Sequence, residues 1–287
     1  MARLHFLTFG DGSPQFRGAA ARLQREAAKT GVFATAQRYD LRRIRDEYPE
    51  FWTRHGRLFL NVQTKMGYFL WKPFLVSARL AAINENDILV YVDAGCEMLA
   101  GNMPELMDWL PTEPGLDVSA VPLEDVHPTV RWTHGCCLAH LDPSNKYVDR
   151  PIIAATFMFL KNTDASRNLA AKWLEWSVFD DYACLRSRPE DQEGPRFQEH
   201  RFDQSIFSLL LYDLDARGAI GLKRIGLERT RGAGAPIVGL RNRTPFRSTG
   251  ANKWKRKVMS KAYNAAVRLF WNEQKYQSDL HRSLPKP

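Results

Sequence analysis

Asp93 follows an apolar, β-branched run and is the residue of this chain best placed to do chemistry. The run from Ile88 to Val92 shows no polar alternation, which predicts a strand buried on both faces, as in a parallel sheet. Binding sites in such sheets lie at the carboxyl ends of the strands. Ala94 and Gly95 come next, and neither side chain obstructs the approach of a phosphate to the backbone. The pattern therefore predicts a carboxylate delivered to a ligand site.

A helix is predicted to lead into this strand. Residues 74–83 have a helical pattern, and Pro73 is acceptable in the first turn of a helix. Trp71 and Lys72 stand just before it. A second acidic residue, Asp203, precedes the apolar run 206–211.

Four blocks of the sequence, in this order, resemble bacterial nucleotide-sugar glycosyltransferases of the GT-A fold. The blocks are Trp71-Lys72-Pro73, Tyr91-Val92-Asp93-Ala94-Gly95-Cys96, Ile153-Ala154-Ala155-Thr156-Phe157-Met158 and His200-Arg201-Phe202-Asp203-Gln204-Ser205. The resemblance implies an α/β, Rossmann-like fold in which helices flank a mostly parallel sheet. It also implies transfer of a sugar from a nucleotide sugar, most simply a UDP-sugar, to a glycan or lipid-linked acceptor in surface-polysaccharide synthesis.

The resemblance also implies which residues form the site. In that family an Asp-x-Asp motif at a strand end holds a divalent metal on the donor diphosphate, and the later Asp-Gln block lies near the transferred sugar. Asp93 and Asp203 inherit the catalytic roles here. The residues implied to contact the donor are Thr8, Phe9, Trp71, Lys72, Asp93, Ala94, Gly95, Ala154, Arg201 and Gln204.

The chain departs from the family's metal-binding motif at one position. Gly95 stands where the second aspartate is usual. Two interpretations stay open: Glu97 joins Asp93 as a ligand of Mn²⁺ or Mg²⁺, or the metal is dispensable. For Glu97 the default expectation is a solvated surface side chain.

Each site residue also has a purely structural interpretation. Asp93 could cap a helix or pair with a buried cation, and Asp203 could stabilise a helix amino terminus through the helix dipole. Trp71 could fill core, as aromatic residues usually do. Lys72 could be an ordinary solvated lysine at a helix start.

Composition agrees with a soluble enzyme, and we expect the protein to stay in the cytoplasm. The apolar stretch at residues 1–10 is too short for a signal peptide, and no later run reaches the roughly 18 apolar residues of a membrane span. The four cysteines, Cys96, Cys136, Cys137 and Cys184, lack a two-by-two zinc spacing. We therefore expect free thiols in a reducing compartment.

The net charge of +9 is concentrated at the carboxyl end of the chain. Residues 229–287 contain 14 lysines and arginines and two acidic residues, a net charge of +12, so that residues 1–228 carry −3. We expect a catalytic domain at 1–231 and a basic extension at 232–287, with the passage marked by Gly232-Ala233-Gly234-Ala235-Pro236.

The extension is predicted to contain a cationic amphipathic helix at 253–271. Its apolar stripe is Trp254, Val258, Ala262, Ala265 and Leu269, and the opposite face carries Lys253, Arg256, Lys257, Lys261, Asn264 and Arg268. This pattern suits the surface of an anionic membrane, which would place the protein peripherally at the inner face of the membrane. A terminal helix packed on its own domain is the alternative.

Two other classes of function compete with the enzyme. A catalytically degenerate module of the same fold would bind nucleotide or glycan without turnover, and Gly95 favours it. A nucleic-acid-binding protein would use the basic tail, but no RNA-binding aromatic motif is present in a strand, and no nucleic acid is expected as a partner.

The remaining pattern alternates strand with helix. Strands are predicted at 4–9, 32–39, 118–121 and 152–160, and a helix at 16–29. The helicity of the charged segment 40–52 is uncertain. Residues 162–164 supply side chains that can cap a helix.

Overall fold

The computed structural model describes residues 2–186, 193–231, 234–247, 253–270 and 272–284. Its strands are β1 (Leu4–Phe9), β2 (Phe33–Tyr39), β3 (Ile88–Val92), β4 (Cys96–Met98), β5 (Val118–Pro122), β6 (Ile153–Lys161), β7 (Leu222–Arg224) and β8 (Ile237–Gly239). Its helices are α1 (Pro14–Lys29), α2 (Leu41–Glu47), α3 (Pro49–Leu60), α4 (Trp71–Ala82), α5 (Met103–Trp109), α6 (Gly135–Leu141), α7 (Asp164–Tyr182), α8 (Asp203–Ala216), α9 (Lys253–Phe270) and α10 (Glu273–Arg282).

Six strands form the central sheet in the order β2-β1-β3-β6-β5-β7. β1 pairs in parallel with β2 and β3, and β5 pairs in parallel with β7. β6 runs antiparallel to both of its neighbours, β3 and β5. The predicted α/β fold with a mostly parallel sheet is therefore confirmed, with β6 as the reversed strand.

Helices cover both faces of this sheet, which explains why its central strands β1 and β3 are buried along their whole length. Successive residues of a strand point to opposite faces. Leu7 lies in a first core cluster, which includes side chains of α3, α4, α7 and α8, and Phe6 lies in a second, which includes side chains of α1 and α5. Likewise Leu89 and Tyr91 lie in the first core cluster, and Val90 lies in the second. Both clusters meet at β3, so this strand is held from both sides.

The predicted elements near the site are confirmed, with shifts of a few residues at their ends. β1 and β3 have the predicted bounds, whereas the helix expected from residue 74 begins at Trp71. That difference places Lys72 inside the first turn. The uncertain segment 40–52 begins two helices, α2 and α3, with Asp40 accepting a hydrogen bond from the backbone N–H of Arg43 at the start of α2.

The basic extension is joined to the rest of the molecule by a second sheet. β8 pairs antiparallel with β4, so that Cys96 faces Gly239. Residues 232 and 233 of the predicted passage lie outside the described residues, and the division of the chain at 231 stays a prediction. Residues 237–239 therefore pair with the strand that follows directly after the turn at the end of β3.

The last helix, α10, is anchored to the turn after β1. The Tyr276 hydroxyl donates to Oδ2 of Asp11, which also accepts from the backbone N–H of Leu41 at 2.7 Å. Burial and the nearby Asp11 carboxylate raise the pKa of the Tyr276 hydroxyl. Leu280 of the same helix is fully buried. Nothing in the sequence pattern predicted this helix, because its packing depends on contacts with α3 and the β1 turn.

We expect Tyr276→Phe to lower the free energy of unfolding by about 1.5–3 kcal/mol, because the change removes a hydrogen bond to a buried carboxylate. Urea denaturation of the two proteins measures this difference in the free energy of unfolding. The matched control is Gln274→Ala, an exposed position on the same helix that should change stability by less than about 0.5 kcal/mol. If the two variants are equally stable, α10 is not part of the folded core.

Two further expectations concern the chain as a whole. The four cysteines are free thiols, as predicted. Among the described residues, none of the helices has the length and apolar character needed to cross a membrane.

Candidate active site

Three charged side chains from three elements meet at the carboxyl end of β3. The Nζ atom of Lys72, in the first turn of α4, lies 3.3 Å from Oδ1 of Asp93 and 3.3 Å from Oδ2 of Asp203. It also donates a hydrogen bond of 3.0 Å to the carbonyl of Ala155 in β6. We call Lys72, Asp93 and Asp203 the charged cluster. It joins residues from three of the four blocks that are distant in sequence.

The cluster is open to solvent mainly at Asp93. The Asp93 side chain is 37% exposed, whereas the side chains of Lys72 and Asp203 are 6% and 4% exposed. The hydroxyl of Tyr91, a buried residue of β3, donates to Oδ1 of Asp93 and fixes the position of that carboxylate. The Trp173 Nε1–H of α7 donates to the backbone carbonyl of Asp203 at 2.9 Å and holds the start of α8. A ligand would therefore meet Asp93 first.

Burial and mutual attraction set the charges of the cluster. Burial raises the pKa of Asp203 to about 6, with the Asp93 carboxylate adding to the rise and the Lys72 ammonium opposing it. Burial alone would lower the pKa of Lys72, but the carboxylates of Asp203 and Asp93 outweigh burial and hold that pKa above its ordinary value. At neutral pH, above the pKa of Asp203, the cluster therefore has the Lys72 ammonium in contact with two acidic side chains.

One atom of the cluster has unused capacity for a hydrogen bond. Oδ2 of Asp203 is buried, and its contact within the cluster is the ion pair with Nζ of Lys72 at 3.3 Å; none of the described residues completes a hydrogen bond to it. Buried carboxylate oxygens are normally satisfied. This oxygen of Asp203 therefore keeps the capacity to accept a hydrogen bond.

Backbone strain is concentrated around the cluster. Residues 65–69, which lead into α4, all have positive φ, and so does Phe202, which precedes Asp203. The rings of Tyr68 and Phe69 lie 5.4 Å and 5.9 Å from that of Phe202, so the two strained segments support each other. Such conformations cost on the order of 1–3 kcal/mol per residue and are found most often at functional sites. The strain thus supports a functional role for this edge of the sheet.

Three of the residues predicted to contact the donor belong to the core. Trp71 is 4% exposed, and its ring stacks on Phe9 at a centroid distance of 3.9 Å. Thr8, beside Phe9, is fully buried. This arrangement matches the core-filling alternative for Trp71, and the ring offers no open face on which a base could stack.

Four other predicted residues lie close to the cluster in the chain but are turned towards protein partners. Ala94 packs on α1, and Ala154 is buried in β6. Gln204 donates its amide to the carbonyl of Ile153 at 2.9 Å. The Arg201 guanidinium lies 4.3 Å from the centre of the Trp132 ring and pairs with Glu199 at 3.2 Å. Their contact with a donor stays a prediction.

The predicted metal ligands do not form a donor set. Glu97 is fully buried and not solvated, and its Oε1 accepts a hydrogen bond of 2.6 Å from Asn242. Gly95 has no side chain to offer. Across residues 2–186, 193–231, 234–247, 253–270 and 272–284, no three His, Cys, Asp or Glu side chains are grouped as a metal ion would need. In addition, the Lys72 ammonium already lies between the two carboxylates nearest the site, and its charge opposes a divalent cation there.

A separate cleft of about 550 Å³ lies on the side of the sheet that α3, α4 and α7 cover. Its lining residues are Glu47, Tyr48, Pro49, Glu50, Phe51, Arg54, His55, Phe74, Leu174 and Val178. Burial and the neighbouring Arg54 lower the pKa of His55 to about 4. None of these residues belongs to the charged cluster, so we regard the cleft as distinct from the candidate site.

Comparison with solved structures gives distant likenesses. Mouse xyloside xylosyltransferase 1 is 12% identical, with 86% of this chain and 99% of that chain covered and a TM-score of 0.43. A glycosyltransferase involved in glycosylation of the major capsid of PBCV-1 is 9% identical, with coverage of 91% and 99% and a TM-score of 0.43. Glucosyl-3-phosphoglycerate synthase from Mycobacterium tuberculosis, solved with Mn²⁺, UDP-glucose and phosphoglyceric acid, is 15% identical, with coverage of 78% and 70% and a TM-score of 0.39.

These TM-scores all lie below 0.5, and the likenesses do not establish the function of this chain. No protein-family profile matches the sequence. No curated protein matches it either.

Sequence reasoning missed the residues that support the site. Tyr91 was treated only as part of a buried strand, although its hydroxyl bonds Asp93. Its position two residues before Asp93 is a signal, because side chains two apart in an extended chain lie on the same face. Asn242 has no such signal, since its contact with Glu97 joins segments that are distant in sequence.

Proposed function

We propose that the protein is a glycosyltransferase that moves a sugar from a nucleotide-sugar donor to a glycan or lipid-linked acceptor. The observation that supports this function best is the charged cluster. It gathers Lys72, Asp93 and Asp203, which come from three of the four family-like blocks, at the carboxyl end of a central strand. Ligands of open α/β sheets bind at that end.

The chemistry of sugar transfer matches the three side chains. When the glycosidic bond to the diphosphate breaks, the sugar becomes oxocarbenium-like and its positive charge is stabilised by nearby carboxylates. Asp93, the exposed member, is placed to accept hydrogen bonds from the donor. Asp203 is placed either to take the proton of the acceptor hydroxyl or to flank the reacting carbon. Lys72 keeps both carboxylates ionised and in position.

The finer features of the proposal come from the resemblance. They are a UDP-sugar as donor and a role in surface-polysaccharide synthesis. The resemblance also implies a divalent metal, Mn²⁺ or Mg²⁺, on the diphosphate. The donor set described above does not fit the metal, so no step of the reaction is assigned to it here.

A donor screen tests the function. Release of nucleoside diphosphate is followed for a panel of UDP-, GDP-, ADP- and CMP-linked sugars (CMP release for the last), with and without manganese. We expect one donor class to be hydrolysed slowly, and faster when an acceptor is present. Binding of nucleotide or glycan without turnover of any donor would instead favour the degenerate binding module.

A second part of the proposal is that α9 lies on an anionic membrane. Its described residues Val258 and Met259 are 45% and 41% exposed. Tyr263 and Asn264 contact α1 instead, through the carbonyl of Pro14 and the side chain of Gln15. These contacts come from the side of the helix opposite to Val258. The helix thus packs on its own domain. The packed side includes Asn264, which belongs to the face opposite the apolar stripe.

This orientation leaves the apolar stripe outward. Ala262 and Ala265 are exposed together with Val258, and Lys261 is exposed beside them. Trp271 lies outside the described residues, as do the side chains of Trp254, Leu269 and the basic residues 253, 256, 257 and 268. An outward apolar stripe with flanking lysine supports a position at a lipid interface. It also supports the peripheral location proposed for the protein.

We expect the full chain to sediment with vesicles that contain anionic lipid, weakly with neutral vesicles, and less as salt rises because of screening. The variant Val258→Glu with Ala262→Glu puts two negative charges into the stripe and should reduce sedimentation at least tenfold. Gln274→Ala on α10 is the control. Since α10 is packed in the core, these point changes are better than a deletion of the tail. Unchanged sedimentation of the double variant would exclude the stripe as the lipid contact.

A further inference from the structure

The turn after Asp93 is covered by a second segment of the chain. A Cβ atom added at Gly95 would lie 3.3 Å from the Cα of Arg241, closer than side chains normally come to backbone. The backbone N–H of Asn242 donates to the Gly95 carbonyl at 2.9 Å. A second aspartate at position 95 would therefore push against the backbone of Arg241. The absence of a side chain at Gly95 therefore allows the segment around Arg241 to lie this close to the turn.

Two buried charged residues hold this segment in place. Arg22 of α1 donates to the carbonyls of Ala94 and Cys96 in the turn and to those of Asn242 and Thr244 in the covering segment. Glu97 accepts the side-chain amide of Asn242 at 2.6 Å. The carboxylate that the sequence offered as a metal ligand thus positions the covering segment.

Arg241 itself is exposed and strained. Its φ is +51°, a backbone conformation that non-glycine residues rarely adopt. Among the residues that the structure describes, none makes an ion pair or a hydrogen bond with its guanidinium. Strained backbone persists where the surroundings over-determine it, and here Arg22 and Glu97 do so. The fold therefore holds the backbone of an exposed cationic residue against the turn that follows Asp93.

Binding of a diphosphate at the charged cluster needs an additional positive charge. With two acidic side chains and one ammonium, the charged cluster has no net positive charge to attract a diphosphate. In metal-dependent enzymes a divalent cation supplies that charge and stabilises the leaving group. An arginine can do the same, because its planar guanidinium binds phosphate oxygens in a bidentate manner and stays protonated.

We propose that Arg241 takes the part of the metal: its guanidinium binds the donor diphosphate and neutralises the charge that develops on it, so that transfer needs no divalent cation. The inference rests on the proposed glycosyltransferase function. In the step, the bond from the anomeric carbon to the phosphate oxygen breaks and its electron pair stays on that oxygen. The acceptor oxygen forms the new bond, and its proton passes to a carboxylate or to the departing phosphate. Arg241 neither gains nor loses a proton.

The activity test uses the donor found in the screen and three variants. Arg241→Gln removes the charge and Arg241→Lys restores part of it, and both keep a Cβ so that the cost of the positive φ is unchanged. Arg243→Gln is the control, because Arg243 is exposed two residues away with its guanidinium 4.9 Å from the Phe16 ring. We expect wild-type turnover to persist in EDTA, kcat of Arg241→Gln to fall about 100-fold, Arg241→Lys to recover part of it, and Arg243→Gln to match wild type.

A binding test is independent of turnover. Calorimetric titration of inorganic pyrophosphate in EDTA should show binding to wild type and Arg243→Gln, and at least tenfold weaker binding to Arg241→Gln. Binding that needs Mn²⁺, or that is equal in the wild type and Arg241→Gln, would overturn the inference. Turnover abolished by EDTA and restored by Mn²⁺ would overturn it as well, while leaving the glycosyltransferase proposal intact. If no donor is turned over with or without metal, it is the proposed function that fails.

Discussion

Asp93→Asn is expected to reduce sugar transfer by about 10²–10³-fold, the loss typical of removing one preorganised electrostatic group from an active site. Asn has nearly the volume of Asp but no charge. The change removes the one member of the charged cluster that is exposed to a ligand. Lys72 keeps its ion pair with Asp203, so no buried charge is left alone and the fold should survive.

The measurement is the steady-state rate at saturating donor, together with thermal unfolding. The melting temperature should change by only a few degrees. Asp108→Asn is a matched control, since the Asp108 side chain is 71% exposed and lies on α5. A wild-type rate in Asp93→Asn would remove the proposed site from the end of β3. A large loss of stability with an unchanged specific rate would make Asp93 only an ion-pair partner.

Asp203→Asn is expected to lower kcat by about 10²–10⁴-fold, the range for loss of a general acid or base, while donor affinity changes less than about threefold. The reason is position: Asp203 is buried beneath the cluster and is assigned to the reacting carbon or the acceptor hydroxyl, not to the diphosphate. Calorimetric donor titration separates the two effects. If the variant loses mainly stability while the folded fraction stays fully active, Asp203 serves only to stabilise the start of α8.

The raised pKa of Asp203 predicts that the rate of sugar transfer depends on pH. Because the pKa of Asp203 is raised to about 6, the carboxylate becomes protonated as the pH falls through that value, and the wild-type rate should fall tenfold per pH unit below it. Above pH 6 the rate should level off. Residual activity of Asp203→Asn should lack this limb, and a limb that persists in the variant would assign the ionisation to another group.

Much of the site could be predicted from the sequence because it depends on local pattern. An unbroken apolar strand ending in Asp93 needs burial on both faces, and the helices that cover it are the reason for the pattern. The start of α8 at Asp203 could be predicted in the same way, from an acidic residue before an apolar run. Their meeting through Lys72 could not, since nothing in a helix-start lysine indicates burial between two carboxylates.

The rest depends on contacts between distant segments. Glu97 looks like a surface residue in sequence because a glutamate is buried only when partners satisfy it, and one of its partners, Asn242, lies 145 residues away. The direction of β6 was equally hidden, because its apolar pattern is the same in either orientation. The face on which α9 packs could not be predicted from hydrophobicity, because the contacts to α1 come from Tyr263 and Asn264 and not from the apolar stripe.

The central claim is that the charged cluster binds a nucleotide sugar, and a crystal structure of the protein with the donor selected by the screen tests it most directly. We predict the sugar diphosphate beside the end of β3, with a donor hydroxyl within hydrogen-bond distance of the Asp93 carboxylate and the anomeric carbon facing Asp203. A donor bound instead in the cleft lined by Phe51, His55 and Phe74, with no atom near Asp93, would contradict the account.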